Sequence, residues 1–315
     1  MINAFIIRDA RLEQIASSDD EVPLTEATWI DLVKPTDEER QRVEASYRQH
    51  LPEPHEVEEI EASARFFEDD AGLHLHSYFF HKIDGSLRNS TVAFTLGENR
   101  LFTLHDYDLP AFRVFRLRAR REPGLACDAI SILLHMFEVK VEELADTLEE
   151  VHTGLQHVSS QVLEETDTDL EAAIDELARH EDLNGKVRLS LMDAQRALTF
   201  LLRRGRLSDK YLEQVRKILR DVDSLLPHNT FLFEKVNFLM AAAQGFINIE
   251  QNQIIKIFSI AAVVFLPPTM IASIYGMNFH DMPELSWTFG YPMAILLIVL
   301  SGIAPYWYFK RKGWL

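Results

Sequence analysis

Cysteine is almost absent from this sequence, and so is any segment that resembles a secretory leader. Cys127 is the only cysteine in 315 residues, so no disulfide can form within one chain, and a reducing compartment fits the composition. Residues 1–10 lack the basic region and the long apolar stretch of a signal peptide. We therefore expect most of the chain to stay in the cytosol.

Basic residues are also scarce. The sequence has 32 Lys and Arg against 49 Asp and Glu, a net charge of −17. Residues 251–315 hold four basic and two acidic residues, about +2, which leaves about −19 for the first 250 residues. Nucleic acid requires a basic surface, so we expect no nucleic-acid partner. Such acidity suits the attraction of cations, although a solvated acidic face is its commoner explanation.

Motifs of catalysis and of nucleotide binding are missing as well. The sequence has no P-loop, no dinucleotide fingerprint and no catalytic-triad pattern, so we expect a protein that is not an enzyme. His74 and His76 share one face of a predicted strand, with His81 nearby, but no thiolate accompanies them at zinc-site spacing. We predict packing or surface roles for these three histidines.

Apolar residues dominate one stretch, 254–274, which is about 20 residues long. At about 1.5 Å per residue its length matches the roughly 30 Å core of a bilayer. Only Lys256, near its edge, is charged. The stretch therefore predicts a membrane span.

A line of polar residues follows one face of this predicted span. Steps of three and four residues connect Asn252, Ile255, Ser259, Ala262, Leu266, Thr269, Ser273 and Gly276. We call this set the polar line, because Asn252, Ser259, Thr269 and Ser273 are polar and the rest of the span is almost wholly apolar. A polar line on an apolar helix indicates a face hidden from lipid, and two explanations are open. The line packs against the second helix of the same chain, or several copies of the chain enclose a water-filled path with it.

A second predicted span, 291–309, is followed directly by Lys310, Arg311 and Lys312. Basic residues favour the cytoplasmic side of a membrane. We therefore expect a multi-pass protein with both termini in the cytoplasm. The connecting loop, which carries Asp281 and Glu284, then lies outside.

The first 125 residues mix strand and helix patterns. Thr36 and Glu39 have the spacing of a capping box at a helix start. We predict strands at 3–7, 28–33, 64–68, 73–80, 90–96 and 100–104, and a helix at 55–63. Charged helical patterns follow at 128–164 and 170–202, and then one long helix from Asp209, which Pro227 kinks or locally breaks.

The predicted architecture is an α+β (mixed α/β) cytosolic N-terminal domain followed by a long stalk helix and two transmembrane helices. Its parts are a cytosolic α/β domain, 1–125; a charged helical pair, 126–208; a stalk helix running into the first span, 209–278; a periplasmic loop, 279–290; the second span, 291–309; and a basic cytosolic tail, 310–315.

The first span closes with Gly276-Met277-Asn278, and this triplet carries a resemblance to a known family. It lies between two spans, with Phe265-Leu266-Pro267-Pro268-Thr269 before it, Met282-Pro283-Glu284-Leu285 after it and a Lys310-Arg311-Lys312-Gly313-Trp314-Leu315 tail. In this context the chain resembles the CorA family of magnesium channels over its full length. The resemblance implies a funnel-shaped homopentamer in a bacterial inner membrane, in which the first span of each subunit lines the axis.

The resemblance also implies which residues bind and conduct the ion. Gly276, Met277 and Asn278 would form the selectivity filter, because Mg²⁺ gives up its water reluctantly and neutral oxygens bind the water shell weakly enough to release it. An ordinary helix C-cap is the alternative interpretation of this glycine and asparagine. The implied pore-lining residues are Asn252, Ile255, Phe258, Ser259, Ala262, Leu266, Thr269 and Ser273, among which Ile255, Phe258 and Leu266 form an apolar gate.

Charged groups complete the implied path. Asp281 and Glu284 would raise the cation concentration at the outer mouth. A basic belt at the cytosolic membrane edge would consist of Lys256, Lys310, Arg311 and Lys312. Anchoring to anionic lipid is by itself a sufficient explanation of this belt.

The family further carries an intersubunit acidic pair, one member in a Leu-Glu-Asp-Ile motif and the other in an Arg-Asp-Val motif. The matching segments here are 57–60 and 220–222, so the pair maps to Glu59 and Asp221, with Glu59 in place of the Asp. We expect regulatory Mg²⁺ between these side chains to hold a closed state.

The expected function is therefore Mg²⁺ influx, gated by intracellular Mg²⁺, with Co²⁺ and Ni²⁺ also conducted. The expected partners are further copies of the chain, the lipid bilayer and divalent cations. Two alternatives remain. One is a zinc transporter of the same fold, although such transporters typically vary the position of Met277. The other is a membrane-anchored metal sensor or scaffold that conducts nothing.

Overall fold

The computed structural model describes residues 1–15, 26–47, 51–52, 61, 65–83, 86–164, 169–278 and 282–313. These residues fall into two compact units, Met1–Met240 and Ala241–Leu315. The predicted helix at 55–63 lies outside the described residues except for position 61.

Seven strands form one sheet in the described part of the first unit. They are β1 (Ile2–Arg8), β2 (Arg11–Ile15), β3 (Trp29–Val33), β4 (Phe66–Asp69), β5 (Gly72–Ile83), β6 (Ser86–Leu96) and β7 (Leu101–His105). Their order is β2-β1-β3-β7-β6-β5-β4, and β3 pairs with β7 in parallel while the other neighbours are antiparallel. All five residues of β7 are buried, which is typical of a strand covered on both faces.

The described residues also form six main helices. They are α1 (Asp37–Tyr47), α2 (Pro110–Arg121), α3 (Ala129–Glu164), α4 (Leu170–Arg204), α5 (Asp209–Tyr275) and α6 (Gly290–Arg311), with a short 3-10 helix at Pro283–Ser286. The mixed α/β domain, the long helix and the second apolar helix expected from the sequence are all present.

The capping box predicted at the start of α1 is confirmed. The backbone N–H of Glu39 donates to Thr36 Oγ1 at 3.2 Å, and Thr36 N–H donates to Glu39 Oε2 at 2.9 Å. The N-terminal amine of Met1 also donates to Glu39 Oε2, at 2.7 Å. This hydrogen bond, followed by that from Thr36, lowers the pKa of Glu39.

Two elements were not predicted. β2 is short, and Leu12 is its one fully buried side chain, so it lacks the alternating pattern that marks a strand. Helix α2 contains five arginines, so its narrow apolar face is difficult to recognise from the sequence. That face consists of Ala111, Phe112, Phe115 and Ala119, all buried.

The predicted local break at Pro227 is wrong, because α5 continues through it. Proline removes one backbone hydrogen bond, but buried Val222 and Leu232 hold the helix on either side. A buried amide pair lies beside it: Asn229 Nδ2 donates to Asn184 Oδ1 at 2.7 Å, and Asn184 Nδ2 donates to the Asn229 carbonyl at 3.1 Å. These contacts fix α5 against α4 and offset the missing bond.

A buried ionic cluster holds β5 to α3 and α4. Asp193 of α4 accepts from the backbone N–H of Tyr78 at 2.9 Å and pairs with Arg65 at 2.9 Å and with Lys140 Nζ at 3.3 Å. Lys140 also donates to Ser77 Oγ at 2.9 Å. Burial lowers the pKa of Lys140 to about 8, against the opposing effect of Asp193.

Replacement of Asp193 tests the importance of this cluster. Asp193→Ala leaves Arg65 and Lys140 buried without their carboxylate, so we expect the free energy of unfolding to fall by about 3–5 kcal/mol. Urea titration of the detergent-solubilised chain, followed by circular dichroism, measures it.

The matched control is Asp182→Ala on the same helix. Asp182 is exposed and pairs with Lys186 at 2.6 Å, so its loss costs about 0.5 kcal/mol or less. Equal losses in the two variants would contradict a structural role for the buried cluster.

Candidate functional site

The apolar parts of α5 and α6 are exposed in the single chain. Each contains a long, strongly apolar stretch with few charged residues, and almost none of either stretch is buried. Large apolar side chains such as Phe258 and Leu266 are 71% and 65% exposed. The core helix of a soluble domain would instead be covered, so these helices have the length, composition and exposure of membrane spans.

One face of the first span packs against α6. A Cβ placed on Gly302 of α6 would lie 3.4 Å from Pro268 Cγ and 3.7 Å from the Val264 carbonyl oxygen. The absence of a side chain at Gly302 lets the two backbones approach closely. First-span residues with reduced exposure share this face: Ile260, Ala261, Val264, Pro267, Pro268, Ile271 and Tyr275.

The polar line lies on the other side of the helix. All eight residues, Asn252, Ile255, Ser259, Ala262, Leu266, Thr269, Ser273 and Gly276, are exposed. At about 100° per residue, the centre of this line is about 180° from the face that packs on α6. Phe258 lies at the edge of the line and is also exposed. The arrangement favours contact with something outside this chain over packing on its own second span.

Consecutive prolines interrupt the backbone hydrogen bonding of the first span. Pro267 and Pro268 carry no N–H, so the carbonyls of Val263 and Val264 lose their partners one turn earlier. Thr269 Oγ1 donates to the Phe265 carbonyl at 2.7 Å. The helix nevertheless continues to Tyr275.

The Gly276-Met277-Asn278 triplet follows directly on the end of α5. Gly276 N–H donates to the Ala272 carbonyl at 2.9 Å, and Met277 N–H donates to the Ile274 carbonyl at 3.3 Å. Gly276 does not adopt a positive φ, so it is not the left-handed cap that often ends a helix. The negative end of the helix dipole lies at this triplet, which favours a cation there. The end of the helix was predicted from the sequence, but the effect of its dipole on a cation was not.

Close backbone packing also explains the choice of glycine in the triplet. A Cβ at Gly276 would lie 3.2 Å from the Ala272 carbonyl oxygen, which is tighter than an ordinary contact. Met277 and Asn278 are exposed. Asp281 lies outside the described residues, and Glu284 is placed in the short 3-10 helix at Pro283–Ser286.

Aromatic and basic residues border the second span. Tyr291 lies at its start, and Tyr306, Trp307 and Tyr308 lie near its end. At about 1.5 Å per residue, Tyr291 and Tyr306 are about 22 Å apart along the helix. Trp and Tyr at both ends of a span are typical of the two membrane interfaces. Sequence reasoning missed this signal, although the residues were visible.

The predicted basic belt is exposed in all its members, Lys256, Lys310, Arg311 and Lys312. The guanidinium of Arg311 lies over the ring of Trp307, 5.5 Å from its centroid. Such a contact holds a cation at the level of the aromatic residues.

One member of the predicted regulatory pair lies among the described residues and the other does not. Asp221 is exposed on α5, beside buried Val222, and its carboxylate has no ion-pair partner within the described ranges. Glu59 lies outside the described residues.

The three histidines considered for zinc are buried in the sheet. His74 contacts Asp69 Oδ1 at 2.8 Å and Thr95 Oγ1 at 3.2 Å, and His81 stacks on Tyr107. Among the residues that the structure describes, no group of three or more His, Cys, Asp and Glu is arranged to hold a metal ion.

Two exposed apolar helices, joined by a short connection and preceded by a mixed α/β domain, define a membrane protein with two spans and a large domain outside the lipid. The chain matches the family described as CorA-like Mg²⁺ transporter protein over residues 25–311. It is 55% identical over 317 residues to the magnesium transport protein CorA of Escherichia coli strain K12, with 100% of both chains covered. The chain therefore belongs to the CorA family.

Further comparisons agree. The magnesium transport protein CorA of Pectobacterium atrosepticum is 54% identical, again over 100% of both chains. The solved structure of the CorA magnesium transporter from Methanocaldococcus jannaschii has a TM-score of 0.78 at 18% identity and covers 100% of this chain and 99% of that one. The expected fold class is thereby confirmed.

Substitution of Gly302 tests the packing of the two spans. A Leu side chain there would collide with Pro268 and Val264, so we expect Gly302→Leu to lower stability by about 1–3 kcal/mol. Thermal unfolding of the detergent-solubilised chain measures the loss. Gly302→Ala is the control, since its single Cβ makes an ordinary contact. Equal unfolding temperatures for the two variants would show that the spans do not pack here.

Proposed function

We propose that this chain is an Mg²⁺ influx channel in which several copies surround a water-filled path lined by the first span. The supporting observation is the exposed polar line from Asn252 to Ser273, on the face opposite the α6 contact, leading to Gly276-Met277-Asn278. Two helices cannot enclose such a path, so identical copies must complete it. A homopentamer is the assembly that we propose.

The filter binds the ion through its water shell. Mg²⁺ dehydrates reluctantly and prefers octahedral oxygen, so Asn278 amide oxygens and Gly276 carbonyls contact its waters. Neutral acceptors bind weakly enough to release the ion. The helix end adds a favourable field, and Asp281 and Glu284 concentrate cations at the outer mouth. Rings of Thr269 and Asn252 supply further oxygens deeper in the path.

Apolar side chains close the path in the resting state. Ile255, Phe258 and Leu266 are 61%, 71% and 65% exposed in the single chain. In a ring of copies they would narrow the path, and an apolar constriction loses its water and stops a hydrated ion.

The protein lies in the bacterial inner membrane with both termini in the cytoplasm. The basic belt at Lys256 and 310–312 sets this orientation. The membrane potential then drives a divalent ion inward with about 4.6 kcal/mol per 100 mV. Co²⁺ and Ni²⁺ pass as octahedral mimics of Mg²⁺.

Cytosolic Mg²⁺ regulates the channel. The exposed Asp221 of one subunit and Glu59 of the next repel each other until a bound cation bridges them. The bridged arrangement holds the closed state, so falling Mg²⁺ in the cytosol opens the path.

Asn278→Ala tests the filter. Loss of one amide oxygen from each subunit weakens binding of the hydrated ion, so we expect Mg²⁺ influx into proteoliposomes to fall about tenfold or more. Co²⁺, Ni²⁺ and Zn²⁺ fluxes are measured alongside.

Ser301→Ala in the second span is the control, because Ser301 Oγ donates only to the Ile298 carbonyl of its own helix. Undiminished Mg²⁺ influx in Asn278→Ala would favour a sensor or scaffold. Zn²⁺ influx without Mg²⁺ influx in the unmodified chain would favour a zinc transporter.

Neutralisation of Glu59 and Asp221 tests the regulation. Glu59→Gln with Asp221→Asn removes the bridged charges, so we expect half-closure to require about tenfold more cytosolic-side Mg²⁺. Patch-clamp currents measured across a Mg²⁺ series give this value. Glu213→Gln, an exposed acid on the same helix, serves as control. An unchanged Mg²⁺ dependence in the double variant would remove this pair from the mechanism.

A further inference from the structure

A groove of about 570 Å³ opens between the two spans within the unit 241–315. Its wall is apolar and includes Ile260, Val264 and Phe265. The polar groups in its lining are Gln253 and Lys256, which are one turn apart on the first span, and Tyr306 of α6. A cavity of this volume lies within the roughly 300–1,000 Å³ of ordinary ligand sites.

The groove is on the side of the first span away from the polar line. Gln253, Ile260 and Val264 belong to the half of the helix that meets α6, opposite the centre of the polar line, and Lys256 lies at the edge between the two faces, one turn from Asn252. In an assembly that places the polar line inside, the apolar wall of this groove lies on the side of the first span away from the axis. It is therefore separate from the proposed ion path.

Charge at the rim selects the ligand. Lys256 is the one charged lining residue, and no ion-pair partner for its ammonium is found in the part of the chain that the structure describes. Lys310 lies one turn beyond Tyr306 on the same face of α6. A cationic rim above an apolar wall, at the edge of a membrane span, complements an acyl chain that ends in an anionic headgroup.

We propose that this groove binds one anionic phospholipid per chain, with an acyl chain against Ile260, Val264 and Phe265 and its phosphate at Lys256. The Gln253 amide and the Tyr306 hydroxyl donate further hydrogen bonds to the phosphate. The proposal rests on the two helices spanning a membrane and not on which ion is conducted.

Native mass spectrometry of the full chain tests the site. The detergent-solubilised protein is equilibrated with equal amounts of palmitoyl-oleoyl phosphatidylglycerol and phosphatidylcholine, and the retained lipids are counted. We expect about one phosphatidylglycerol per chain, retained about fivefold better than phosphatidylcholine, because a single basic residue at the membrane surface provides a preference of this size for an anionic lipid.

Two variants separate the headgroup contact from the acyl contact. Lys256→Gln should abolish the preference for phosphatidylglycerol, while Ala261→Trp fills the groove and should remove both lipids. Lys312→Gln makes the same charge change in the tail outside the groove and should retain the preference. Circular dichroism of each variant establishes that it is folded.

Three results would overturn the proposal. The first is that the unmodified chain retains both lipids equally. The second is that Lys256→Gln and Lys312→Gln lose the preference to the same degree. The third is that excess glycerol phosphate displaces the bound lipid. The last result would mean that the rim binds phosphate without the acyl chain. None of these measurements depends on ion flux, so a failed channel proposal leaves this test intact.

Discussion

Lipid offers no hydrogen-bond partners, so a polar side chain on a membrane helix must face protein or water. The first span has one face against its own second span, where Gly302 lets the backbones meet near Pro268. Its polar line, from Asn252 to Ser273, lies about 180° away and remains exposed in one chain. In the proposed assembly, neighbouring copies and enclosed water satisfy these groups. Oligomerisation and the ion path then follow from a single requirement.

The two faces of the first span therefore serve different neighbours. In the proposed assembly, side chains toward the polar line meet other copies and the hydrated ion, whereas the groove at Lys256 and Tyr306 is the proposed lipid site. General anchoring to anionic lipid is by itself a sufficient explanation of the basic residues at this membrane edge. A rim that also binds a phosphate gives Lys256 a specific partner, in contrast to Lys312 in the tail.

Regular patterns were predictable from the sequence, because each lies within a few consecutive turns. Hydropathy gave the span at 254–274, a period of three and four gave the polar line, and spacing gave the Thr36–Glu39 capping box. Features that depend on distant segments were not predictable. The Asp193 cluster joins three elements, β2 is recognisable only by its pairing with β1, and the groove is lined by the first span together with Tyr306 of α6. The helix break predicted at Pro227 is absent, because buried side chains on both sides stabilise the helix more than the proline destabilises it.

Pro267 and Pro268 have a mechanical consequence for the first span. Two successive backbone hydrogen bonds are missing within the first span, so bending there breaks fewer bonds than bending elsewhere in the helix. The outer half carries Gly276-Met277-Asn278, and the inner half carries Ile255 and Phe258. In the proposed channel, a pivot between them would allow the inner half to tilt while the outer half keeps its geometry, so that discrimination between ions and opening of the path would use separate movements.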